Sequence, residues 1–83
     1  MDPLDGNAIA GALFEHFGNE MTMAHVRCSH CNSTSLIAEL RVYMKAPGAV
    51  ARCPQCDEVL IVIVDVRGTQ RFDMANMEMV SPT

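Results

Sequence analysis

Apolar residues that recur at helical spacing predict an amphipathic helix within residues 1–18. Asp5 is a candidate N-cap, with Gly6 and Asn7 as near alternatives, because a short acceptor side chain suits this position. Gly18 is a candidate C-terminal stop, because a left-handed glycine commonly ends a helix. A helix of about a dozen residues is marginal alone in water, so its apolar stripe must pack on the rest of the chain or on a partner. The stripe consists of Ile9, Ala10, Leu13, Phe14 and Phe17.

Later stretches of the chain are typical of β-strands. The stretch Val59–Val66 is apolar on both faces, as in a strand that is covered on both sides. We expect the neighbouring strands to supply the cover on one face and the helix stripe to supply it on the other. Residues 67–70 predict a hairpin turn, and residues 46–48 predict another turn. The predicted strands cover residues 22–27, 35–44, 50–52, 59–66 and 70–74.

The four cysteines form two pairs in the pattern C-x2-C-x21-C-x2-C. This spacing is close to that of four-thiolate zinc sites, in which a tight turn aims both sulfurs of a pair at one tetrahedral ion. Asn32 and Asp57 follow the two pairs, and these residue types tolerate the left-handed conformation in which such knuckles turn. The predicted ligands are Cys28, Cys31, Cys53 and Cys56.

Other uses of these cysteines fit the sequence less well. Disulfides need a secreted protein, whereas Asp2 and Asp5 stand where a signal peptide carries basic residues. The longest apolar run is too short to span a membrane, so we expect a cytoplasmic protein with reduced thiols. A rubredoxin-like iron site, which carries one electron, is the alternative metal centre. Four thiolates leave no open position for water, so we expect the protein not to be an enzyme.

The charge balance disfavours nucleic acid as a partner. The formal net charge is −4, and four thiolates with one Zn²⁺ would bring it to about −6, the wrong sign for attraction to a phosphate backbone. A nucleic-acid-binding regulator stays open as an alternative, because Arg27, Arg41, Lys45 and Arg52 lie in or beside the cysteine-bearing strands. Tyr43 is the single tyrosine that could stack on a base.

The sequence divides into a helix at 1–18, a zinc-ribbon domain at 19–74 and a methionine-rich tail at 75–83. The helix stripe and the tail carry much apolar surface for so small a chain, and methionine suits adaptable apolar contacts. We therefore expect docking on a protein partner, or on a second copy of the chain. The candidate partner-binding residues are Ile9, Leu13, Phe14, Phe17, Met74, Met77 and Met79.

The segments 4–13 (LDGNAIAGAL), 41–43 (RVY) and 46–56 (APGAVARCPQC) resemble an uncharacterised family of small bacterial zinc-ribbon-like proteins that share a domain of unknown function. The resemblance covers nearly the whole chain, whereas the methionine-rich end is less typical. It implies that the four cysteines are the metal ligands. It also implies that members are encoded near redox enzymes, including molybdenum- and flavin-dependent oxidoreductases, which would favour an accessory or small-subunit role.

Taken together, the sequence predicts a small metal-stabilised α+β fold. The expected architecture is a zinc ribbon with rubredoxin-like antiparallel hairpins, two C-x2-C knuckles and an N-terminal helix. The expected function is that of a non-catalytic interaction or accessory module with one Zn²⁺, and a redox enzyme is a candidate partner.

Overall fold

The computed structural model describes residues 4–18, 20–45, 48–74 and 76–80. The helix α1 spans Ala10–Phe17, and 3₁₀ turns span Gly6–Ile9 and Ile37–Glu39. The strands are β1 His25–Cys28, β2 Thr34–Leu36, β3 Arg41–Lys45, β4 Gly48–Arg52, β5 Val59–Val66, β6 Thr69–Asp73 and β7 Met77–Val80. They form two antiparallel sheets, one in the order β2–β1–β7 and the other in the order β3–β4–β5–β6. The small α+β fold is thus confirmed.

The two ends of the N-terminal helix lie where the sequence predicts them. The Asp5 carboxylate accepts a hydrogen bond from the Asn7 N–H at 3.0 Å, and Gly18, at φ 80°, donates its N–H to the Phe14 carbonyl at 2.8 Å. The first turn is a 3₁₀ helix rather than an α-helix. Within the described ranges, no helix is long and apolar enough to cross a membrane.

The strand predicted over residues 35–44 is interrupted in the structure. The 3₁₀ turn Ile37–Glu39 separates β2 from β3, and the Leu36 N–H donates to Glu39 Oε1 at 2.7 Å across that turn. Ile37 and Leu40, three positions apart, are both buried. A turn with three residues per repeat can bury that pair on one side, whereas a straight strand would place them on opposite faces.

The residues assigned to a separate tail contribute a strand to the core of the fold. Strand β7 pairs antiparallel with β1, with Cys28 opposite Met77 and His25 opposite Val80. Arg27 and Glu78, which are also cross-strand partners, form an ion pair between exposed side chains. The first cysteine pair therefore lies next to the C-terminal strand of the described chain, rather than apart from it.

The four-stranded sheet agrees closely with the sequence pattern. Strand β5 occupies Val59–Val66, as predicted, and Arg67 and Gly68 form the two-residue turn into β6. Both turn residues have positive φ, at 53° and 82°, as a type I′ hairpin turn requires. The other predicted turn, at 46–48, lies mostly outside the described residues, and its last position, Gly48, begins β4.

The helix covers one face of the four-stranded sheet. Ile61 and Ile63 are buried on this face, together with Ile9 and Leu13 of the N-terminal segment. On the alternate positions of β5, Leu60 is buried, whereas Val62 and Val64 are only half-buried. The expected cover of β5 on both faces is therefore complete only at Leu60, because the one α-helix of the described chain lies on a single side of the sheet.

Two contacts fasten the N-terminal segment to the sheet. The ring of His16 stacks on the ring of Phe72 of β6, with centroids 4.1 Å apart. At the opposite edge, Leu4 and Val42 exchange two backbone hydrogen bonds of 2.7 and 2.8 Å. The segment therefore spans the sheet from β3 to β6 and is held at both edges.

Close backbone packing at Gly6 leads to the first prediction. A Cβ atom at this position would lie 1.7 Å from the Ile37 carbonyl oxygen, whereas a Cβ at Gly11 would meet nothing within 4 Å. We expect Gly6→Ala to lower the free energy of unfolding by about 2–3 kcal/mol. The matched change Gly11→Ala should raise it by about 0.5–1 kcal/mol. Urea denaturation of the metal-loaded protein measures both values, and equal stability of the two variants would contradict the packing.

Candidate metal centre

The two cysteine pairs lie in turns that belong to different sheets. The first pair spans the connection from β1 to β2, and the second spans the connection from β4 to β5. The turns reverse at Asn32 and Asp57, which have φ values of 63° and 66°. This confirms the prediction that both pairs turn through a left-handed residue, a conformation that Asn and Asp tolerate better than most residues do.

The same two backbone hydrogen bonds close each turn. The N–H of the left-handed residue donates to the carbonyl of the first cysteine of the pair, at 2.8 Å for Cys28 and 2.9 Å for Cys53. The N–H of that cysteine in turn donates to the carbonyl five residues later, at 2.9 Å for Ser33 and 2.8 Å for Glu58. Because the pattern repeats at equal offsets, both turns aim their two sulfurs in the same way.

The four sulfur atoms form one compact cluster. All lie within 4.8 Å of one another, and the Sγ atoms are 3.6 Å apart for Cys28 and Cys56 and 3.7 Å apart for Cys31 and Cys53. A disulfide needs about 2.05 Å, so these are free cysteines. A tetrahedral ion with four sulfurs at about 2.3 Å places them about 3.8 Å apart. The cluster therefore has the size that a single four-thiolate ion requires.

The cluster is buried on one side and open on the other. Cys28 and Cys53, the first members of the two pairs, are each 1% exposed. Cys56 is half-buried and Cys31 is exposed. A metal ion at the centre would thus be shielded by the protein core on one side, and its edge at Cys31 would face the solvent.

Ser33 is the side chain that contacts two of the sulfurs. Its hydroxyl oxygen lies 3.0 Å from Cys31 Sγ and 3.5 Å from Cys53 Sγ. Although burial acts to raise the pKa of Cys53, hydrogen bonds from Ser33 and from the backbone N–H groups of Cys56 and Gln55 lower it to about 6. The Ser33 hydroxyl is also the main cause that lowers the pKa of Cys31. Ser33 thus favours the thiolate form, which is the form that binds metal.

The opposite effect acts on Cys56. Burial raises the pKa of this thiol to about 12, and the sulfurs of Cys28, Cys31 and Cys53 add to the increase. Four thiolates in contact repel one another, so without a cation they do not all ionise near neutral pH. A divalent cation supplies the charge that allows all four protons to leave.

Arg52 is a second residue at the site that the spacing of the cysteines does not reveal. Its guanidinium donates to the Asp57 carbonyl at 3.0 Å and lies 3.7 Å from the Asp57 carboxylate. It thereby fixes the left-handed residue of the second turn. The equivalent arginine of the first turn, Arg27, pairs with Glu78 of β7 instead, so only the fold shows that Arg52 holds its own turn.

The residues predicted to bind a partner are not all at the surface. Ile9, Leu13 and Met77 are buried in the core, and Phe17 and Met74 are half-buried against it. Phe14 and Met79 are exposed, at 52% and 43%. The helix stripe therefore serves mainly to cover the protein's own sheet, and Phe14 and Met79 are the members of this set that remain accessible.

The contacts of Ser33 lead to the second prediction. Ser33→Ala removes the hydroxyl, so the pKa values of Cys31 and Cys53 rise and protons compete with the metal at a higher pH. We expect the metal to dissociate at a higher pH than in the unmodified protein, with an affinity about tenfold weaker at neutral pH. Loss of the thiolate absorption of the cobalt-substituted protein during acidification gives the midpoint. Ser33→Thr, which keeps the hydroxyl, and Ser29→Ala, in the same turn, are the controls; an unchanged midpoint in Ser33→Ala would contradict the assignment.

The comparisons with known proteins concern the whole chain and not the cysteine cluster alone. No curated protein and no solved structure matches it. One family model matches residues 1–83, and that family is described as a family of unknown function, DUF6510. The match includes all four clustered cysteines, both turns and both sheets. The chain therefore belongs to the DUF6510 family.

Proposed function

We propose that this protein is a non-catalytic zinc-ribbon module that binds a protein partner. The observation that carries the proposal is the convergence of four sulfurs, within 4.8 Å, from turns of two different sheets. Four thiolates complete the tetrahedral shell of a zinc ion and leave no position for water or substrate. The metal then acts as a structural crosslink, and the function lies on the surfaces that the crosslinked sheets present.

Zinc is the metal that we propose, with iron as the alternative. Both ions accept four thiolates in a tetrahedron, so the sulfur geometry supports either one. The reduction potential of an iron site depends on the charge and the hydrogen bonds around its sulfurs. One such hydrogen bond is present, because Gln55 donates its N–H to Cys53 Sγ at 3.4 Å. Aromatic rings, however, are few in this chain, which has three phenylalanines, one tyrosine and no tryptophan. We therefore rank a structural zinc site above an iron site.

An accessory subunit of a cytoplasmic oxidoreductase is the role that the family resemblance favours. Reduced thiols, as a thiolate site requires, persist in the cytoplasm, and a small acidic module without an open metal position suits a subunit that docks rather than reacts. In this role the zinc ion would hold the docking surface in shape, and the partner would supply the chemistry.

Metal analysis and chelation test the structural part of the proposal. We expect one zinc ion per chain and a colourless protein whose X-ray absorption spectrum shows four sulfur ligands. Removal of the metal should unfold the protein, because metal binding in small zinc domains contributes about 10–16 kcal/mol to folding. Cys28→Ser, at the buried side of the cluster, should have the same effect, and restoring zinc after chelation should refold the unmodified chain. A bound iron that cycles between two oxidation states, or a nitrogen or oxygen ligand in the spectrum, would overturn this part.

Affinity purification from the native cell tests the interaction part. We expect the zinc-loaded chain to retain a partner protein at stoichiometric amount, and the metal-free Cys28→Ser chain to lose it. The same sample serves for metal analysis, so metal and partner are read together. Recovery of the protein as a monomer with no partner, at the concentrations found in the cell, would contradict the interaction.

A further inference from the structure

The face of the four-stranded sheet that lies opposite α1 has an apolar centre. Val50 and Val62 are direct cross-strand partners, and Val64 lies two positions further along β5 on the same face. All three are half-buried, and Tyr43, also half-buried, is the β3 partner of Val50. We call this surface the outer face and define its apolar centre as Val50, Val62 and Val64. It is the face that the N-terminal helix leaves uncovered.

Basic residues surround this apolar centre. The register of the four strands places Arg41, Lys45, Arg52 and Arg71 on the outer face, and we call these four residues the basic rim. They are four of the six lysines and arginines in a chain whose formal net charge is −4. The molecule is therefore strongly asymmetric in charge, because the rest of its surface carries most of the acidic residues. The net charge by itself does not reveal this asymmetry.

Two arginines of the rim stand directly opposite each other. Arg41 of β3 and Arg52 of β4 are cross-strand partners, and like charges in that position destabilise a sheet. The Asp57 carboxylate, 3.7 Å from the Arg52 guanidinium, offsets part of the repulsion, and the Tyr43 ring lies 5.9 Å from the same guanidinium. Asp73 of β6 is also on this face, opposite Val62. A negatively charged group placed between Arg41 and Arg52 would relieve the remaining repulsion.

Shallow depressions flank the apolar centre. One, of about 260 Å³, is lined by Tyr43, Lys45, Val50, Arg52 and Asp57. Another, on the β5–β6 side, is lined by Val62, Val64, Arg71, Phe72, Asp73 and Met74. Each depression thus combines at least one valine with at least one basic residue and one aspartate, so an apolar side chain could enter while a neighbouring carboxylate meets the basic rim.

We infer that the outer face binds an acidic amphipathic segment of a partner protein. The apolar side chains of the segment pack on the apolar centre, and its carboxylates pair with the basic rim. The charge of the rim by itself would suit a phosphate backbone as well. The centre favours a peptide over nucleic acid, because bases stack on aromatic rings and this face offers three valines beside one such ring, that of Tyr43. This inference deepens the proposed function, on which it rests, by naming the docking surface and the chemistry of its partner.

A random library of 12-residue peptides displayed on phage, selected against the zinc-loaded full chain, tests the inference. We expect enriched peptides in which Asp or Glu alternate with apolar residues. Their binding should weaken about tenfold in the double variant Arg41→Gln/Arg71→Gln, which removes two charges from the rim. The control Arg27→Gln/Arg67→Gln removes the same charge from residues that do not belong to the basic rim and should leave the affinity within about twofold. Val62→Thr, nearly equal in volume, replaces a methyl group with a hydroxyl and should weaken binding because it makes the apolar centre more polar.

Three outcomes would overturn the inference. The first is enrichment of peptides without acidic residues, and the second is equal loss of affinity in the rim and control variants. The third is binding of a 15-residue oligothymidylate that is tighter than that of any peptide and is lost in the rim variant, which would make the face a nucleic-acid site. Zinc content and far-UV circular dichroism of each variant establish that the fold is intact. If a cellular partner is retained but the rim variants do not affect it, the docking surface is wrong while the proposed function stands.

Discussion

The two sheets of this protein share no strand, and the cluster of four sulfurs joins their turns at a common apolar core. One turn closes β1 against β2, and the other closes β4 against β5. In a chain of 83 residues the hydrophobic core is small, and small cores commonly need a metal or disulfide to make the folded state stable. The first sheet carries the C-terminal strand of the described chain and the second carries the helix, so this junction links both ends of the described chain.

The junction is symmetric in its backbone and asymmetric in its side chains. Both turns use the same pair of hydrogen bonds and the same left-handed conformation. Ser33 places a hydroxyl near two sulfurs, while the equivalent residue of the second turn is Glu58. The second turn is instead held from outside by Arg52, which lies on the basic rim. The surface proposed for docking and the cysteine cluster are thus neighbours along β4, so a change in the metal site would affect the outer face.

In the proposed function, a closed thiolate shell would separate stability from function. The zinc ion would hold the fold together without taking part in a reaction, and the activity would come from contacts at the surface. The helix stripe supplies little of that surface, since its central residues are buried on the sheet. The opposite side of the same sheet is better suited, because its half-buried valines and clustered cations remain accessible. Covering one face of a sheet with a single helix leaves the other face accessible.

The sequence by itself determined the features that depend on neighbouring residues. The caps at Asp5 and Gly18, the strand Val59–Val66, the hairpin at Arg67 and Gly68 and the left-handed turns after each cysteine pair follow from local backbone preferences. The approach of the two sulfurs within each cysteine pair was predictable too, since the spacing within each pair constrains both of them. The tertiary structure decided the features that join distant segments. It placed Met77–Val80 beside β1, interrupted the strand predicted at 35–44 with a turn that buries Ile37 and Leu40, and gathered Arg41, Lys45, Arg52 and Arg71 on one face. These outcomes depend on strand order and register, which arise from the packing of the whole chain and leave no signal in any single stretch of it.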